Sequence, residues 1–120
     1  MIEIYFTNLI SEGLFIKAGN GKDIKIKVKG HSGYGEKNLD VVCAGISAVV
    51  QTAVVGITKA AGIRQNVNQK EGMLESKIAV KKLNPADLNN LIIILNTMLA
   101  GLEEIRKQYP GALKININQE

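Results

Sequence analysis

Residues 41–61, VVCAGISAVVQTAVVGITKAA, constrain this chain more than any other stretch. The segment has the length of a helix and is apolar almost all round. A helix of that kind must be buried on most sides. Its β-branched residues and the glycines Gly45 and Gly56 give it poor intrinsic propensity, so tertiary packing has to hold it. Asp40 reads as its N-cap, and Gly62 as its stop after about Ala61. The cover must come from sheet. With 46% hydrophobic residues, no tryptophan and two phenylalanines, the core must be aliphatic.

The strands are legible from alternation. In MIEIYFTN, Ile2, Ile4 and Phe6 alternate with Glu3, Tyr5 and Thr7. GLFIKAGN is short and apolar and ends in the turn-forming set Gly19-Asn20-Gly21, while DIKIKVKG alternates again. These three read as an antiparallel meander. IRQNVNQ and LESKIAVKKL read as two more strands around the turn KEGM, and ALKINI as the last. Between them, Asn84, Pro85 and Asp87 mark a helix start. Leu88, Leu91, Leu95, Leu99, Leu102 and Ile105 make its core stripe, and Pro110 follows its end.

The expected order is β-β-β-α-β-β-α-β, and the fold class is α+β, antiparallel sheet packed on two helices in a single domain over residues 1–120. Ile92, Ile93 and Ile94 widen the apolar surface of the second helix beyond one stripe. Either sheet covers both faces, or part is buried in an oligomer. A C2 homodimer with an aliphatic interface is expected.

The net charge is +4, and the basic residues are spread over several segments. The densest run, KDIKIKVKGH, reads first as the solvated face of an amphipathic strand and second as a stripe for an anionic partner. One cysteine cannot form an internal disulfide, which fits a reducing cytoplasm. MIEIYFTNLI lacks the basic start, long apolar run and small-residue cleavage site of a signal peptide. No run reaches about 18 uninterrupted apolar residues, so a cytoplasmic protein without membrane association is expected.

The chemistry concentrates in GHSGYGEKNLDVVCAGIS, residues 30–47, which holds the only histidine, His31, and the only cysteine, Cys43. A thiolate is the nucleophile, and an ordinary thiol with a pKa near about 8.5 needs a positive environment. If Asp40 caps the helix, Cys43 lies in the first turn, where unpaired backbone N–H groups and the dipole favour a thiolate and could hold an oxyanion. His31 is the one available imidazole. Read blandly, Cys43 is a small core residue, Asp40 a plain cap and Ser47 a hydroxyl closed onto its own helix. Tyr34, between Gly33 and Gly35, is a loop residue or a substrate contact. Residues 30–38 read as a glycine-rich loop.

This stretch resembles the bacterial ribosomal-processing cysteine protease family Prp. The pattern is Gly-His-Ala/Ser, a glycine-rich loop, then Asp-x-Val-Cys-Ala-Ala/Gly, a variable residue and Ser. It falls on Gly30, His31 and Ser32, then on Asp40, Val42, Cys43, Ala44, Gly45 and Ser47. TMLAGLEEIRKQYP in the second helix is similar as well. One departure is Asn38, where the family usually has glycine.

The resemblance implies a cysteine endopeptidase, needing no metal or cofactor, that removes an N-terminal extension from a large-subunit ribosomal protein. It implies Cys43 as nucleophile and His31 as base, with Asp40 and Ser47 in support. It implies that Gly30, Ser32, Gly33, Tyr34 and Gly35 form the substrate loop. The partner would be a ribosomal protein precursor, read as an extended peptide. The lysine stripe is open to ribosomal RNA as an alternative partner. A rival reading is a non-enzymatic assembly or adaptor protein with Cys43 buried. A thiol redox protein would want a second cysteine to resolve a disulfide.

Overall fold

The structure is a computed structural model that describes residues 1–30 and 37–120, with side chains described for 1–30 and from 41 onward. Two helices lie on one face of a five-stranded sheet. The strands are β1 (Ile2–Thr7), β2 (Leu9–Glu12), β3 (Phe15–Ala18), β4 (Ile24–Lys29), β5 (Asn66–Lys70), β6 (Met73–Ile78) and β7 (Leu113–Asn118). The helices are α1 (Lys37–Lys59) and α2 (Pro85–Gln108), with a single 3-10 turn over Val80–Lys82 between β6 and α2. The sheet order is β5-β6-β4-β1-β7, and β2 and β3 pair apart from it.

Alternation fixes which face is buried. Ile2, Ile4 and Phe6 of β1 point inward with Ile24 and Ile26 of β4, Ser76 and Ile78 of β6, and Leu113 of β7. On α1, Val42, Cys43, Ile46, Val50, Ala53, Val54 and Ile57 are buried at three- and four-residue spacing; on α2, Leu91, Leu95, Met98, Leu99 and Leu102 are. Each fully buried large aliphatic contributes roughly 1.5–3 kcal/mol by leaving water. Gly101 lets the helices close up, because a Cβ there would touch Val49 Cγ1 at 3.4 Å.

The α+β class stands, with four differences in detail. The expected meander is absent. Asn8 takes a positive φ of 68° and turns the chain out of β1, which ends where MIEIYFTN is read to end, and LISE beyond it forms the unread strand β2. The β2–β3 hairpin leaves the sheet and is strapped to α2: Asn96 Oδ1 accepts from Ile16 N–H at 2.8 Å and Asn96 Nδ2 donates to Ile16 C=O at 2.9 Å. β4 then takes the place beside β1, antiparallel. The sheet is also not purely antiparallel, since β7 runs parallel to β1 at the edge. LESKIAVKKL is a strand only as far as Ile78, after which the chain makes the short 3-10 turn.

Helix α1 begins at Lys37 rather than after Asp40. Asp40 therefore lies inside the first turn and does not cap it, and Lys37 and Asn38 are helical rather than loop. At the other end Gly62 acts as expected: with φ of +68° its N–H returns to Thr58 C=O and that of Ile63 to Ile57 C=O. The helix is less enclosed than its composition suggests, since Val41 is 72% and Val55 49% exposed. By length and composition alone α1 and α2 could cross a membrane; here each lays its stripe on the sheet. The isoleucine run of α2 is mostly covered by the chain itself, with Ile92 and Ile94 packed against the core and Ile93 left exposed.

The start of α2 is as read. Asn84 Oδ1 accepts from Asp87 N–H at 2.7 Å, and Pro85 opens the first turn.

Candidate active site

Cys43 sits on the buried stripe of α1, 8% exposed, where the stripe meets the rim of the sheet. Beside it is a cleft of about 320 Å³. One wall is α1, through Cys43, Ala44, Ser47 and Gln51. The other is the hairpin of β5 and β6, through Gln69, Lys70, Gly72, Met73 and Leu74, and Val28 and Gly30 close one end. The thiol therefore borders a concave space rather than being enclosed in the core.

The spacing of Cys43, Ser47 and Gln51 is four residues twice, so they share one face of α1. Gln51 Nε2 donates to Ser47 Oγ at 2.8 Å, which holds the serine oxygen toward the next turn. Gln51 went unread in the sequence, though helical spacing from Cys43 reveals it. The hairpin wall could not be found that way. Its residues reach the cleft only through the pairing of β6 with β4.

Gly30 is the built part of the histidine side. It has φ of +107°, and a Cβ at this position would lie 2.5 Å from Met1 C=O, so only glycine fits. Its N–H donates to Gly72 C=O at 3.0 Å, tying the end of β4 to the tip of the β5–β6 turn. The residue before His31 is thus fixed on the rim that Cys43 borders. His31, Ser32, Gly33, Tyr34 and Gly35 lie outside the described residues, as does the side chain of Asp40.

The earlier start of α1 changes the electrostatic expectation for the thiol. The unpaired N–H groups belong to the first four residues, 37–40, and Cys43 is the seventh of the helix. Dipole stabilisation falls off within the first turn. Helix-end activation of Cys43 is therefore weaker than its sequence position suggested, and the backbone oxyanion donors expected in its own turn are engaged in the helix.

The chain matches the family model described as cysteine protease Prp over residues 12–114. It belongs to the Prp cysteine protease family. The ribosomal processing cysteine protease Prp of Staphylococcus aureus is 32% identical over 98 residues, covering 80% of this chain and 88% of that protein. The protein of the same description from Bacillus subtilis is 26% identical over 97 residues, covering 79% and 86%. The crystal structure of an essential ribosomal processing protease Prp from S. aureus, in complex with a substrate peptide, superposes with a TM-score of 0.71 at 24% identity over 98% of this chain and 99% of that one. The Prp family fold thus extends over essentially the whole chain, and the family makes this protein a cysteine protease of ribosomal processing.

Proposed function

We propose that this enzyme removes a short N-terminal extension from a large-subunit ribosomal protein, with Cys43 as nucleophile and His31 as base. The observation that carries the reading is the cleft. The one thiol of a cysteine protease chain borders it, and Gly30, the residue before the one histidine, lines its rim.

In this reading His31 takes the thiol proton and the sulfur attacks the scissile carbonyl. The tetrahedral intermediate collapses to a thioester as the imidazolium gives its proton to the leaving amine. Water, deprotonated by His31, then hydrolyses the thioester and restores the thiol. Asp40, one turn before Cys43, and Ser47, one turn after it, are supporting residues. Ser32, Gly33, Tyr34 and Gly35 form the substrate loop. The exposed pairing groups of edge strand β5, beside the cleft, suit an extended peptide.

Incubating the enzyme with a ribosomal protein precursor and reading the mass tests this. A precursor shortened at its N-terminus is expected, and Cys43→Ala should remain folded and leave it uncut. Turnover by Cys43→Ala would end the assignment. His31→Ala should lose most activity and move the pH profile of Cys43 alkylation toward that of an ordinary thiol.

The enzyme acts in the cytoplasm in this reading, as a homodimer. Leu14, Phe15 and Ile93 support the dimer, being 93%, 62% and 56% exposed on one side of the molecule, where Phe15, Ile93 and Ala100 line a shared apolar groove. A monomer mass by light scattering at micromolar concentration would remove the dimer from the proposal.

A further inference from the structure

Among the described residues, no element covers the face of the sheet turned away from the helices. Register places Lys25, Lys27 and Lys29 of β4 on it, with Lys77 of β6, Lys70 of β5 and Lys114 of β7. The acidic residues that meet these lysines are Glu3 and Glu75, together with Glu120, which pairs with Lys25 at 3.3 Å, and Asp23, which pairs with Lys77 at 3.7 Å. The chain holds 15 Lys+Arg and 11 Asp+Glu, so six lysines and four carboxylates here leave nine basic and seven acidic residues elsewhere. This face therefore carries two positive charges in excess, half of the chain's net +4.

The arrangement is more than a solvated strand. The three β4 lysines run along the middle strand of the sheet, about 7 Å apart by the strand rise. Tyr5 lies directly across from Lys27, and the ammonium of Lys29 stands 5.4 Å from its ring centroid. The Tyr5 hydroxyl donates to the Glu3 carboxylate, which engages one of the opposing charges and fixes the ring. Asn66, Asn68, Asn116 and Asn118 continue the same face on the outer strands. A flat cationic surface with a held aromatic ring and flanking amides has the elements that bind an unpaired nucleic-acid strand: ammonium groups for phosphates, a ring for a base, and amides for hydroxyls.

We propose that this open sheet face binds single-stranded RNA. Charge complementarity selects a polyanion, and membership of a ribosomal-processing family selects RNA among polyanions. The face is the reverse of the one that carries α1, and of these lysines Lys70 is the one that also borders the Cys43 cleft, so RNA held along β4, β1 and β7 leaves that cleft accessible. The inference does not depend on which residues carry the peptidase chemistry.

Fluorescence anisotropy of the full chain with a labelled single-stranded oligoribonucleotide tests it. The expected result is binding whose logarithm falls with log salt at a slope of about −2 to −3, for three or four phosphates neutralised on a single strand. Lys27→Gln/Lys114→Gln should flatten the slope by about 1.4 and weaken binding while peptide cleavage is unchanged. Glu75→Gln should tighten binding about two- to threefold, a gain that loss of folding cannot mimic. Absence of binding at 50 mM salt would overturn the proposal. So would binding indifferent to both variants, or binding to phosphatidylserine vesicles with none to RNA.

Discussion

Gly30→Ala isolates the backbone requirement at the rim of the cleft. Glycine here carries a φ of +107°, a region that costs a side-chain-bearing residue roughly 1–3 kcal/mol. The added methyl would also stand 2.5 Å from Met1 C=O and 3.3 Å from Ile2 Cα. Neither is the end of a flexible side chain. The Ile2 N–H is bonded to Ala112 C=O at 2.9 Å, so the strand start cannot swing aside without breaking a sheet contact. Relieving such an overlap costs roughly another 1–3 kcal/mol.

The sum, about 2–5 kcal/mol, is a large part of the stability of about 5–15 kcal/mol typical of a native domain. For a chain of this size it corresponds to a fall in Tm of about 8–20 °C. Gly45→Ala and Gly56→Ala are the internal controls. Both glycines are in α1, have no described atom within 4 Å of an added Cβ and are not at positive φ, so each change should add about 0.5–1 kcal/mol. Thermal and urea melts followed by circular dichroism read all three. A Gly30→Ala variant melting within about 2 °C of the parent, or three variants shifting in the same direction, would refute the reasoning.

Asn8→Ala should cost about 2–4 kcal/mol in urea unfolding, because Asn8 is buried, donates to Asp23 C=O at 2.7 Å and accepts from Glu120 N–H at 2.9 Å; Asn8→Gly, which keeps the turn but not the bonds, should recover part of the loss. Asn84→Ala should lower stability by about 1 kcal/mol through the lost cap on α2, read as a fall of a few degrees in Tm. Tyr5 should ionise late in an ultraviolet titration, because its hydroxyl bond to Glu3 raises its pKa above 10.0 and lowers that of Glu3 below 4.5. By linkage the bond stabilises the fold between those limits. Its contribution fades as pH rises through the raised Tyr5 value or falls through the lowered Glu3 value, and Tyr5→Phe should flatten the melting temperature at both ends.

Much of this was legible because local chemistry decides it. Alternation in β1 and β4, the Leu stripe of α2, the cap formed by Asn84, Pro85 and Asp87, and the Gly62 stop each follow from a few neighbouring residues. What sequence reasoning missed depends on partners far along the chain. Asn8 holds the turn after β1 through bonds to Asp23 and Glu120, partners that no local window reveals. Strand β2 was unread for the same reason, and the meander failed because Asn96 of α2 holds the hairpin away from the sheet. At the site, Cys43, Ser47 and Gly30 were legible from pattern and spacing. The hairpin wall was not, since only the pairing of β6 with β4 delivers it. Asp40 was misread because a good capping residue does not fix where a helix begins when the residues before it can continue the turn.

The parallel pairing of β1 with β7 has a consequence for how the molecule is made. Ile2 lies beside Leu113 and Thr7 beside Asn118, so a strand made early waits for one made more than a hundred residues later. Until residues 113–118 emerge, β1 offers an open edge with apolar Ile2, Ile4 and Phe6 behind it, the kind of surface that recruits foreign strands. A pairing across more than a hundred residues also carries a loop-closure penalty before it is rewarded, which slows folding. Vectorial synthesis therefore leaves this sheet unsealed until β7 arrives, and a chain interrupted before it would be exposed to aggregation and proteolysis rather than accumulate as a partly active enzyme.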